Sequence, residues 1–153
     1  MNRVAIRYAS PFKEGACGIA AHLVFAHALR RDLEAARSVS ARARELAISR
    51  KAAGPEASRA AMEAMVSRME GDLAKAGDRL EAAENAFAAF RADDLKWSPI
   101  GEPFPLILKY ERGLQLLAAG RTEEARGALK RAAAEAREAR LPGLAALAER
   151  TAP

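Results

Sequence analysis

Apolar residues recur at helical spacing over most of the chain. Met62, Met65, Val66 and Met69 fall at positions i, i+3, i+4 and i+7, and Ile107 begins another stripe of this period. An α-helix returns to the same face about every 3.6 residues, so this spacing predicts amphipathic helices. The pattern divides into six helices, at about 17–31, 33–51, 56–76, 79–93, 104–119 and 123–140, followed by a short final helix over 144–150.

Glycine and proline mark the boundaries between these predicted helices. Gly54-Pro55 interrupts the pattern, and Gly77-Asp78 supplies a helix stop followed by an N-cap. The segment 98–105 contains three prolines and a glycine, which excludes a helix interior. Neither residue type occurs between Leu29 and Leu33, so one long helix from about 17 to 50 remains an alternative to two.

The predicted helices pair into three antiparallel hairpins, at about 17–51, 56–93 and 104–140. A single hairpin cannot bury both faces of its helices, so neighbouring hairpins must stack to complete a core. The pattern therefore predicts a leader at 1–16 and one all-α domain over 17–153, built as an α-solenoid with a short C-terminal helix.

Composition supports an all-helical fold. The chain of 153 residues contains 39 alanines but only 11 valines, isoleucines and threonines, and 5% of its residues are aromatic. Alanine is the strongest helix former, whereas strands favour β-branched and aromatic side chains. The composition thus disfavours β-sandwiches, barrels and alternating β/α folds.

Hydropathy, the first residues and the cysteine content together indicate the expected cellular compartment. The sequence has no apolar stretch of about 18 residues that could span a membrane, and its first residues lack the apolar centre of a secretory signal. Cys17 is the only cysteine, which excludes an internal disulfide. We therefore expect a cytoplasmic protein with no membrane partner.

Charge is distributed unevenly along the chain. Residues 1–53 carry 10 basic and 4 acidic groups, residues 54–103 carry 6 and 10, and residues 104–153 carry 9 and 6. The excess of the first third comes largely from Arg30, Arg31, Arg37, Arg42, Arg44, Arg50 and Lys51. Association with nucleic acid through this basic third is the alternative function, and it would weaken steeply with salt.

A short motif recurs in the three hairpins. Residues 31–36 resemble residues 78–83, and residues 120–125 occupy the same place in the third hairpin. The third unit also has a small residue, Gly113, in its first helix, with Leu129 and Ala132 in its second. This unit resembles a tetratricopeptide repeat (TPR), although the spacings of 47 and 42 residues between Ala36, Ala83 and Ala125 exceed the 34 residues of that family.

The longer spacing is similar to the divergent, long-helix TPR-like arrays of bacterial signalling regulators. The resemblance implies a non-catalytic protein–protein interaction module and the role of a regulatory part in a larger signalling protein. Its first helices would line a groove for a peptide or a partner helix. The polar residues expected in that groove are His22, Arg30, Arg68, Lys75, Lys109 and Arg112.

Residues with catalytic or metal-binding chemistry are sparse. His22 and His27 are five residues apart, which separates them by roughly 140° around a helix, so they cannot readily share a metal ion. We expect no enzymatic activity, cofactor or metal site. Trp97, in the proline-rich segment, is either an exposed anchor for a partner or a cover over the ends of adjacent hairpins. Self-association through apolar edges of terminal hairpins is a further possibility.

Overall fold

The computed structural model describes residues 13–47, 53–89 and 103–153, and the regular structure of these residues is entirely α-helical. The all-α prediction is confirmed for this part of the chain. The described helices are α1 (Lys13–Leu29), α2 (Leu33–Ala47), α3 (Ala53–Glu70), α4 (Leu73–Ala88), α5 (Pro103–Ala118), α6 (Thr122–Glu138) and α7 (Pro142–Thr151).

Residue contacts divide the chain into two compact units, residues 1–101 and residues 102–153. In the first unit α3 packs against α1, α2 and α4, and α1 also packs against α2. The helix pairs α1–α2 and α3–α4 therefore pack on each other. In the second unit α6 packs against both α5 and α7. The prediction of a single domain over 17–153 stays a prediction.

Each unit buries small and medium-sized apolar side chains. In the first unit Val24, Met62, Met65 and Leu80 are fully buried together with many alanines. In the second unit Phe104 and Leu129 are fully buried. Alanine lets helices approach closely, which explains how a chain with few aromatic residues fills its cores. Tyr110 of α5 is also buried, and its hydroxyl lies 3.0 Å from Thr151 Oγ1 of α7.

Four interhelical turns share one backbone conformation. The residues Arg31, Gly71, Gly120 and Arg140 have φ angles between 57° and 85°, in the left-handed region. Each donates its amide to the carbonyl three residues earlier, and the next residue donates to the carbonyl five residues earlier. This is the Schellman arrangement, which satisfies the carbonyls at the end of a helix. The residue that follows the positive-φ residue is also the N-cap of the next helix, so these turns are very short.

A buried alanine follows each turn at the same distance. The amides of Ala36, Ala76, Ala125 and Ala145 donate to the carbonyl of the capping residue four positions earlier. All four alanines are at most 3% exposed. Residues 31–36 and 120–125 of the predicted motif coincide with such turns, but residues 78–83 lie inside α4, and the alanine that follows the turn of the second helix pair is Ala76 and not Ala83.

The predicted boundaries within the second helix pair are wrong. The predicted helix 56–76 ends at Glu70, and the predicted stop at Gly77-Asp78 lies inside α4. Both Gly71-Asp72 and Gly77-Asp78 are suitable for a turn by local chemistry. The turn at Gly71 places Ala76, Leu80, Ala83 and Phe87 on one buried face of α4, so packing selects it.

Two other predicted boundaries also change. Helix α1 begins at Lys13, inside the predicted leader 1–16, whereas residues 1–12 lie outside the described residues. The alternative of one long helix from 17 to 50 is wrong, because Arg31 adopts a positive φ and Asp32 Oδ1 accepts the Ala35 amide as an N-cap. This turn contains neither glycine nor proline, so the sequence alone did not show whether the segment forms one helix or two.

Candidate functional site

A polar cleft lies between α2 and α3 in the first unit. Its volume is about 250 Å³, and the start of α4 contributes one wall. Its lining residues are Arg37, Ser40, Ala41, Arg44, Glu63, Val66, Ser67, Glu70 and Lys75. Sites for drug-sized ligands usually measure about 300–1,000 Å³, so this cleft suits one or two side chains of a partner.

Two ion pairs connect the helices across the cleft. Arg37 Nε donates to Glu70 Oε1 at 2.6 Å, and Arg44 Nη2 donates to Glu63 Oε1 at 3.0 Å. The second pair lies seven residues further along α2 and seven residues back along α3, so the two helices run antiparallel here. Seven residues correspond to about 10 Å along a helix. The ion pairs therefore lie at the two ends of the cleft.

Small side chains occupy the space between the two ion pairs. Ser40 and Ala41 of α2 lie opposite Ser67 and Val66 of α3 in this antiparallel register. Both serines are largely buried, at 8% and 2% exposure, whereas Ala41 is exposed at the rim. The small volume of these residues keeps the cleft open, and the serine hydroxyls give its floor polar groups that can donate or accept hydrogen bonds.

Glu63 connects three helices at one end of the cleft. Its side chain is 7% exposed, and its carboxylate contacts Arg44 of α2, Arg59 of α3 and Arg79 of α4 at 3.0–3.2 Å. The Arg79 contact meets the distance of an ion pair without the angles of a hydrogen bond. Three guanidinium groups around one carboxylate leave an excess of positive charge, which Glu56 partly offsets by pairing with Arg59.

Of the polar residues predicted for the groove, only Lys75 lines this cleft. The structure places it in the first turn of α4 and not in a first helix, so its predicted position is wrong. Its backbone amide donates to Asp72 Oδ1 at 3.1 Å, the N-cap bond of α4. No described carboxylate pairs with its ammonium group.

The other predicted groove residues have different surroundings. His22 Nδ1 donates to the Gly18 carbonyl at 2.8 Å within α1, and Arg30 lies exposed in the turn that follows. Arg68 is half-buried on α3. In the second unit Lys109 pairs with Glu135 of α6, and Arg112 is half-buried on α5.

Trp97 lies outside the described residues, so its predicted role as an anchor stays a prediction.

The remaining cleft residues were not recognised as a site from sequence. Arg37 and Arg44 counted only as part of the basic first third. The pattern that could have revealed them is two arginines seven residues apart on one helix, Arg37 and Arg44, and two glutamates seven residues apart on the next, Glu63 and Glu70, with Ser40 and Ser67 between them. This pattern predicts an antiparallel pairing only when the two helices are known to be neighbours.

The described residues contain no group of three His, Cys, Asp or Glu side chains that could hold a metal ion. None of the helices described is both long and apolar enough to cross a membrane.

No family model, curated protein or solved structure matches the chain. In the α2–α3 cleft, charged and polar side chains of the described residues surround an open space.

Proposed function

We propose that this protein is a non-catalytic protein–protein interaction module that holds a peptide segment of a partner in the α2–α3 cleft. The observation that supports this most is the open, polar space between two interhelical ion pairs. Helices that only needed to pack would close this space with apolar side chains. A cleft of about 250 Å³ suits a partner's side chain better than a cofactor.

The α2–α3 cleft is not the site that the resemblance led us to expect. The resemblance to TPR-like arrays implies a groove lined by first helices, whereas the cleft lies between the second helix of one pair and the first helix of the next. That all three helix pairs belong to one TPR-like stack remains part of the proposal. Its support is the common geometry of the turns at Arg31, Gly71 and Gly120. A role as the regulatory part of a larger bacterial signalling protein rests on the resemblance.

Nucleic-acid association through the basic first third is the weaker alternative. Phosphate binding needs cations that are free to meet the backbone of a nucleic acid. Arg37 and Arg44 instead pair with carboxylates of α3, which reduces the positive charge that this region offers.

Peptide binding to wild type and to a variant with an obstructed cleft tests the proposal. Fluorescein-labelled peptides of about twelve residues, in acidic, basic, neutral and amphipathic versions, are titrated with protein and followed by fluorescence anisotropy. Ala41→Trp places a large side chain at the exposed rim of the cleft. Ala134→Trp makes the same change at an exposed alanine of α6 and serves as the control.

We expect at least one peptide class to bind wild type and Ala134→Trp but to bind Ala41→Trp about tenfold more weakly, a loss of about 1.4 kcal/mol. Equal affinity of all three proteins for every peptide would remove the cleft as the binding site. Binding of a labelled oligonucleotide alone, lost at raised salt, would favour the nucleic-acid alternative.

A further inference from the structure

Lys75 occupies a position that conflicts with local helix electrostatics. Asp72 is the N-cap of α4, so Lys75 is the third residue of that helix. A capping box places Glu or Gln at this position, and the positive end of the helix dipole disfavours a cation in the first turn. The first turns of α2 and α6 contain Glu34 and Glu123 with Glu124, whereas those of α4, α5 and α7 contain no acidic residue.

The Asp72 carboxylate at the start of α4 offsets part of this cost, but it accepts the Lys75 backbone amide and forms no ion pair with the ammonium. Among the described residues, no carboxylate forms an ion pair with the Lys75 ammonium, whereas Arg37 and Arg44 in the same cleft are both paired. Residues that break a local rule without a structural gain are expected at functional sites. The conflict disappears if an anion binds at this end of the cleft, because both the ammonium and the start of α4 attract negative charge.

We propose that the cleft binds a carboxylate group of an acidic peptide, and that Lys75 is its principal cation. The inference rests on the proposed function and names the class of peptide. The ammonium would donate a charge-assisted hydrogen bond to the incoming carboxylate, and the hydroxyls of Ser40 and Ser67 line the adjacent wall. The lining groups comprise three cations and two carboxylates, so the cleft has one net positive charge, which an acidic side chain neutralises.

A single substitution separates this role from a structural one. Lys75→Gln removes the cation from the first turn of α4, while the Asp72 amide keeps its hydrogen bond to the Ser67 carbonyl. A structural lysine would lower the melting temperature when replaced. A binding lysine in this position should leave the melting temperature unchanged or raise it, while the affinity for an acidic peptide falls.

The experiment uses the full chain with fluorescein-labelled hexaglutamate as the probe and hexaglutamine as the neutral comparison. Affinities are measured by fluorescence anisotropy at low salt for wild type, Lys75→Gln and Lys130→Gln. Lys130 is an exposed lysine of α6, so its variant carries the same change of net charge without touching the cleft. Melting temperatures of the three proteins are measured in parallel.

We expect Lys75→Gln to bind hexaglutamate about tenfold more weakly than wild type, as loss of a hydrogen bond to a charged group implies, while Lys130→Gln stays within about twofold. Equal weakening in both variants would mean diffuse attraction to a basic protein and would overturn the proposal. So would unchanged binding by Lys75→Gln.

The two proposals fail in different ways. One outcome would overturn only the role of Lys75: a neutral or basic peptide that binds Ala41→Trp more weakly than wild type but binds Lys75→Gln as tightly as wild type. The proposal of an interaction module would then stand. If no peptide responds to Ala41→Trp, the cleft is not a peptide site and both proposals fall.

Discussion

The α2–α3 interface and the α5–α6 interface are built in opposite ways. Gly113 of α5 lies so close to α6 that a Cβ atom there would be 2.5 Å from Leu129 Cδ2. In the α2–α3 interface, serine and alanine lie opposite serine and valine, and a cleft of about 250 Å³ remains. One interface is closed by complementary shapes and the other is held by charges around a space. The difference indicates that the α2–α3 interface serves a purpose beyond packing.

The largest effect is expected where the closed interface loses its central side chain. Leu129 is fully buried, so Leu129→Ala should lower the free energy of unfolding by about 3–4 kcal/mol through lost apolar burial and the cavity left behind. Urea unfolding followed by circular dichroism measures this change. The loss should be nearly independent of salt. A loss below about 1 kcal/mol would show that the interface is looser than the Gly113–Leu129 contact implies.

In the open interface, removing a charge should have the main effect. Glu63→Ala removes the buried carboxylate that three arginines share, and we expect a loss of about 2 kcal/mol. This is less than for a fully buried ion pair, because the arginine side chains remain between 30% and 58% exposed.

Salt distinguishes the two interfaces further. The cost of Glu63→Ala should shrink when ionic strength rises from about 0.05 M to about 1 M, since salt screens exposed charges. The same urea unfolding at both salt concentrations measures it. A cost that does not change with salt would contradict the description of the α2–α3 interface as electrostatic.

Two glycine substitutions test close packing at a smaller scale. Gly113→Ala must displace the buried Leu129 side chain, and we expect a net loss of about 1–2 kcal/mol despite the better helix propensity of alanine. Gly77→Ala meets nothing within 4 Å inside α4, so it should stabilise the protein by about 0.5–1 kcal/mol. Thermal unfolding of both variants measures the contrast, and effects of the same sign would contradict it.

The smallest effect concerns an exposed pair at the start of α6. Arg121 Nε donates to Glu124 Oε1 at 2.7 Å, and this hydrogen bond lowers the pKa of the Glu124 carboxyl. A lowered pKa in the folded state contributes stability above the ordinary pKa, and this contribution is lost as the pH falls through the lowered value. Side-chain carboxyl NMR titration of wild type and Arg121→Ala should show the Glu124 pKa rising in the variant. An unchanged pKa would mean that the pair does not persist in solution.

Much of the local structure could be predicted from the chain. The helical period, the alanine content and the turn at Gly120 were sufficient for α5, α6 and α7, whose observed ends lie within two residues of those expected. The turn at Arg31 was not decidable, because a non-glycine residue adopts the left-handed conformation there. The choice between Gly71-Asp72 and Gly77-Asp78 depended on which face of α4 becomes buried, and only packing determines that.

The cleft could be predicted less well than the helices. Lys75 was selected for its charge, although its conflict with the N-terminus of α4 became visible only once the helix was known to begin at Leu73. Arg37 and Arg44 were indistinguishable from other arginines of the basic first third until α2 and α3 were seen side by side. Helix ends and turns depend on short segments of sequence, whereas a site between two helices depends on which helices pack together.

Mapping the bound peptide on the protein tests the central claim most directly. Amide chemical shifts of isotope-labelled protein are recorded by NMR during titration with hexaglutamate. We expect the largest shifts at Arg37, Ser40, Arg44, Ser67 and Lys75, and only small shifts in α5 and α6. Shifts spread evenly over basic residues of both units, or concentrated at the α5–α6 interface, would contradict the assignment of the α2–α3 cleft as the site where this protein holds its partner.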